Sequence, residues 1–165
     1  PMPTPLLKPH TTRWLVLSFL LALLLELLPI EMTGWHWLPN WVGVLVIYWT
    51  LHLPRTFGIG LACALGLLTD MASASLFGQH ALVFSLLSYL VLIRQRQMVM
   101  YSMLQQVMVV LGLMLLSQAL TVVVRLATGA AFIGWGYFAA SFVAAAVWPL
   151  LSHVLALSLQ PSKQR

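Results

Sequence analysis

Apolar residues fall into six long runs along the chain, and most polar and charged residues collect between them. The first run covers residues 14–30 and is broken only by Ser18, Glu26 and Pro29. The second covers 41–53, with Pro39 at a favourable first-turn position and His52 and the Pro54-Arg55 turn closing it. A third run, 57–74, carries Asp70, and a fourth, 81–93, stops at Arg94 and Arg96. The fifth, 103–124, ends beside Arg125. The sixth, 137–159, holds Trp148-Pro149 in its middle, where proline predicts a kink. A bilayer-crossing helix takes about 20 residues, so the pattern predicts an all-α bundle of six transmembrane helices forming one transmembrane domain over 1–165. The second run is short for a span. Thirteen residues reach about 20 Å against a hydrocarbon core of about 30 Å, so this helix has to borrow flanking turns or sit where the membrane is thin.

Composition removes the soluble alternatives. Of 165 residues 61% are apolar and 7% charged, against about 25% charged in ordinary soluble domains, so there is too little polar surface to face water. Pro1 stands before Met2 and is set aside as extraneous, and 2–12 read as a short proline-containing lead. The first run is longer than the apolar core of a secretory signal and lacks a small-x-small site after it, so it reads as an uncleaved span.

Charge sets the direction. Lys and Arg in short connections stay on the cytoplasmic side. With both termini inside, six spans put Lys8, Arg13, Arg55, Arg94, Arg96, Lys163 and Arg165 there, seven of eight cations. The outer connections, roughly 31–39, 75–80 and 128–136, then contain no Lys or Arg. A re-entrant second segment would move Arg55, Arg94 and Arg96 outside, so the pattern favours six crossings. The net charge of +5 is spread singly and in pairs, which excludes a nucleic-acid stripe.

Three ionisable residues remain in or beside the spans: Glu26, Asp70 and Arg125. A charge at the bilayer centre costs about 2.5 to 3.5 kcal/mol, so each needs a partner or an escape to water. All three fall in the last turns of outward-running helices, and the reading is an intramembrane cluster in which Arg125 pairs with Asp70, with Glu26 second. Independent snorkelling of Glu26 and Arg125 to the outer headgroups is the competing reading. Gly58, Ala62, Gly66, Asp70 and Ala74 recur every four residues and form a small-residue strip for helix packing or for a partner helix. Ala139, Ala140, Ala144 and Ala145 make a similar patch, read as intramolecular packing.

Chemistry is sparse. Cys63 is the single cysteine, so disulfide, zinc-thiolate and CxxC roles are excluded. The five histidines have no metal-site spacing, one aspartate cannot make an aspartyl dyad, and Ser73 and Ser75 lie in SAS without a GxSG motif. No glycine-rich phosphate loop or acid cluster is present, so no cofactor, metal or catalytic set is expected. Tryptophans at the span ends, such as Trp14, Trp35, Trp37, Trp41 and Trp135, read as interfacial anchors.

Pro39-Asn40-Trp41, Tyr48-Trp49, Leu53-Pro54-Arg55, Gly58 with Gly60, Gly66-Leu67-Leu68-Thr69-Asp70, Gly78, Ala81-Leu82, Tyr89-Leu90 and Trp148-Pro149 follow one another in an order that resembles the MreD family of rod shape-determining proteins of Gram-negative bacteria. The motif-bearing part spans about 39–94. Two positions depart from the family pattern. Ala74 stands where relatives often have glycine, which puts the turn after Asp70 in question, and Glu26 stands where a neutral or amide side chain is expected. The resemblance implies a non-enzymatic, multi-pass inner-membrane scaffold of the cell-elongation machinery that binds MreC and works with the MreB filament, the RodA glycosyltransferase and a class B penicillin-binding protein. It also implies a likeness of fold to the six-helix substrate-binding subunits of vitamin-uptake transporters. A small-solute binding subunit is therefore the alternative, and lipid handling a third reading. The partner contact expected from the residues lies on the second and third helices, at the Asp70 end.

Overall fold

The computed structural model describes residues 9–28 and 38–160. Expectations for Lys8, Trp35, Trp37, Lys163 and Arg165 and for the end of the first span fall outside them. Among the described residues the chain is helical, with six α-helices: α1 (Pro9–Leu27), α2 (Trp41–His52), α3 (Ile59–Ala72), α4 (Gln79–Met100), α5 (Met103–Ala127) and α6 (Ala139–Leu159). One turn of 3-10 helix, Trp135–Phe138, leads into α6. The predicted six-helix bundle is observed, and four of its helices are long and apolar enough to cross a membrane.

The short α2 is the axis of the molecule. Asn40 caps it by accepting from the Gly43 N–H at 2.8 Å, and every residue from Val42 to Leu51 is buried. A helix apolar on all sides belongs in an interior. Here α1, α4, α5 and α6 all pack on it. Enclosure also answers the length problem: an α2 of 12 residues, about 18 Å long, does not have to match lipid that it barely meets. Its polar groups tie it to its neighbours. Trp49 Nε1 donates to Ser18 Oγ of α1 at 3.1 Å, Thr50 Oγ1 bonds Ser88 Oγ of α4 at 3.4 Å, and Gln95 Nε2 of α4 donates to the Leu51 carbonyl at 3.2 Å. Tyr48 lies against Trp148 of α6, ring centroids 6.0 Å apart, and stacks on His52 at 4.1 Å.

Two boundaries differ most from the sequence reading. The first helix begins at Pro9, inside the expected lead of 2–12. The fourth helix runs on to Met100, past Arg94 and Arg96. Arginine ends a lipid-facing run but not a helix, and Gln, Arg and Met are good helix formers. The overhang is anchored where Met98 buries its side chain and its carbonyl accepts from Gln106 Nε2 at 3.1 Å. The chain then breaks at Ser102, which with Gln105 forms a capping box that starts α5. In α6 the helix continues through Pro149.

Candidate functional site

The site grows from the antiparallel pairing of α3 and α4. Ala62, Gly66 and Asp70 are buried on one face of α3, four residues apart. At Gly66 the backbones meet: a β-carbon there would fall 2.6 Å from the His80 carbonyl carbon and nearer still to the Ala81 backbone. Only glycine admits that approach. One turn further on, the same face delivers Asp70 to the start of α4.

There the carboxylate works as a cap supplied from a neighbouring helix. Gly78, at φ +96°, is the N-cap residue of α4 and has no side chain with which to cap it. Asp70 fills the role: Oδ2 accepts the Gly78 N–H at 2.8 Å and Oδ1 accepts the His80 N–H at 3.0 Å. Ser75 Oγ donates to Oδ1 at 2.9 Å, and His80 Nδ1 lies 2.8 Å from it. A negative group at a helix N-terminus is favoured by the dipole and by the unpaired amides there. Each hydrogen bond to a buried charge is worth about 1.5 to 3 kcal/mol, which covers the cost of holding the carboxylate away from water.

Asp70, His80 and Ser75 together have the composition of a nucleophilic triad but not its geometry. Ser75 Oγ is 3.3 Å from Nδ1, the same ring nitrogen that faces the carboxylate, and it donates to Asp70. A triad needs serine and carboxylate on opposite ring nitrogens. The arrangement locks a turn.

The expected pairing of Asp70 with Arg125 is therefore corrected. The ion pair of Asp70 among the described residues is with His80, at 2.8 Å, and both carboxylate oxygens are occupied within the α3–α4 connection. Arg125 sits half-buried in the last turn of α5, and Glu26 half-buried in the last turn of α1. The strip is likewise divided. Ala62, Gly66 and Asp70 pack inside the hairpin, Gly58 is the N-cap of α3 with open space around it, and Ala74 is exposed. On α3 the strip is used against α4, and α2 is enclosed by α1, α4, α5 and α6.

Ala74 bears on the glycine expected there: its φ of +49° is left-handed, a conformation glycine adopts without penalty and alanine does not. Pro39, Asn40 and Trp41 open α2, Tyr48 and Trp49 are buried in it, and Pro54-Arg55 turns the chain toward α3. His80 and Ser75 were missed as site residues; the available signal was an aspartate followed eight residues later by a glycine that opens a helix. A second polar tie also escaped the sequence reading. Gln118 of α5 accepts from Ser141 Oγ of α6 and donates through Nε2 to the Tyr137 carbonyl at 2.8 Å.

Comparison with known proteins adds the family. A curated relative, the rod shape-determining protein MreD of Haemophilus influenzae, is 28% identical over 131 residues, covering 79% of this chain and 81% of its own length. No solved structure matches the chain. The family description "rod shape-determining protein MreD" matches residues 9–157, nearly the whole helical bundle. The chain belongs to the MreD family, a multi-pass membrane family of cell-shape determinants.

Proposed function

We propose that this protein is a non-enzymatic scaffold of the bacterial inner membrane that holds the single transmembrane helix of MreC and, through it, helps to organise MreB, RodA and a class B penicillin-binding protein during cell elongation. Family membership supports the cell-shape role. The observation that carries the docking reading is the exposure of α1. Of its apolar side chains only Phe19 and Ala22 are buried, while Leu17, Leu20, Leu21, Leu24 and Leu28 lie along one outward face. In a bilayer such a face meets either lipid or another helix, and close packing then decides which. The docking face is accordingly α1, since α2 is enclosed and the α3 strip is used against α4.

Copurification with tagged MreC tests this. Wild type and Gln118→Leu should retain MreC, whereas Leu17→Trp with Leu21→Trp and Leu24→Trp should lose it at equal expression. Equal recovery by the triple variant removes α1 as the contact. A transport subunit would need a polar-lined enclosure between the helices. The interior is instead filled by Trp49, Trp148, Tyr48, Phe57 and Phe84, and scaffold is the reading favoured.

A further inference from the structure

We infer that the overhanging end of α4, with Arg55, forms a binding site for the headgroup of an anionic phospholipid. Gln95 fixes the orientation of this segment by reaching the Leu51 carbonyl of α2, and Met98, one turn on, is buried beside it. Successive residues on a helix are about 100° apart. Arg94 and Arg96 therefore flank the inward Gln95 on either side, and both are exposed. Between them, on the outward face, lie Ile93 and Met100, 56% and 86% exposed. The result is an apolar stripe edged by two guanidinium groups. Leu51, held by Gln95, closes α2 just before the Pro54-Arg55 turn, so exposed Arg55 is delivered to the same level of the bundle.

Among the described residues, no acid engages Arg55, Arg94 or Arg96. Glu26 and Asp70, the carboxylates among the described residues, sit at the far ends of α1 and α3, and Asp70 is bound to His80. Arg94 has one neutral partner, Gln97 Oε1 at 3.2 Å on its own helix. Guanidinium pairs with phosphate in a bidentate fashion, and an apolar stripe between two such groups fits the acyl chains leaving a headgroup. An acidic protein segment would use the charges but leave Ile93 and Met100 unexplained, which favours lipid. The site would face the cytoplasmic leaflet if the proposed orientation holds, where anionic lipids attract basic segments.

The test uses the full-length protein in neutral detergent micelles, with thermal unfolding followed as phosphatidylcholine, phosphatidylglycerol, cardiolipin or polyglutamate is added. Binding to the folded state raises Tm. Wild type should gain stability with phosphatidylglycerol and cardiolipin and not with phosphatidylcholine, and the gain should shrink as salt is raised. Arg94→Gln with Arg96→Gln should lose most of the shift and the addition of Arg55→Gln the rest, whereas Arg125→Gln should keep it. An equal shift with phosphatidylcholine, an undiminished shift in the triple variant, or a shift with polyglutamate alone overturns the inference. Detergent micelles expose both ends of the bundle, so a reporter fusion that placed Arg94 outside would reject the orientation and the MreC reading while leaving this result standing.

Discussion

Gly66→Ala measures how closely the α3–α4 hairpin is built. The added methyl would lie 2.6 Å from the His80 carbonyl carbon, and ordinary contact begins near 3.4 Å, so the helices must separate by roughly 1 Å. The obstacle is backbone and cannot rotate away. Overpacking of this kind costs about 1 to 3 kcal/mol. The same displacement stretches the Asp70 bonds to Gly78 and His80, now 2.8 and 3.0 Å, beyond hydrogen-bonding range, and loss of a cap costs about 1 kcal/mol more. Alanine returns about 1 kcal/mol in helix propensity. The net is a loss of about 1 to 3 kcal/mol, or about 2 to 12 °C in Tm for a chain of this size. Thermal unfolding of the purified protein in one detergent gives the number directly. Two companions sharpen it. Ala81→Gly should not rescue Gly66→Ala, because the atoms struck are backbone atoms that glycine also has. Asp70→Asn should cost much less in the Gly66→Ala background than alone, since the cap is already disrupted. A Tm unchanged by Gly66→Ala, or restored by Ala81→Gly, refutes the reasoning.

Other substitutions carry definite signs. Ala74→Gly should stabilise the protein by about 1 kcal/mol by relieving a left-handed alanine, seen as a higher midpoint in the same melt. Tyr48→Phe should be neutral or slightly stabilising, because the buried hydroxyl has no hydrogen-bond partner among the described residues; a loss above about 1 kcal/mol would show that the hydroxyl has found one. Asp70→Asn should cost about 2 kcal/mol and His80→Ala less, since His80→Ala keeps both backbone amides on the carboxylate; the reverse order in unfolding midpoints would make the His80 ring, not the cap, the main interaction.

The fold was legible because hydrocarbon is a demanding solvent. Runs of apolar residues with polar punctuation leave few alternatives, and the six helices lie close to the six runs. The end of α4 was misplaced because Arg94 and Arg96 mark a limit of apolarity, whereas helix continuation depends on propensity and on tertiary anchors such as Gln95 and Met98. Asp70 stood out by the cost of its charge, but its partners did not. Counting charges pairs a carboxylate with an arginine, yet two of the donors here are backbone amides and carry no letter in the sequence. The small-residue strip was visible as a strip, and its recipient was not. Which neighbour it meets depends on the α3–α4 turn, where left-handed Ala74 and Gly78 fold the chain back on itself.

The enclosed second helix also constrains how the molecule is made. At 12 residues it is too short to rest in lipid by itself, and the ring of Trp148 that helps to cover it is synthesised about a hundred residues after Tyr48. A nascent chain released before α6 emerges would leave the Tyr48 side of this segment uncovered. The order of synthesis thus leaves the shortest helix waiting for its last neighbour, and loss of the last helix should lower the amount of folded protein in the membrane.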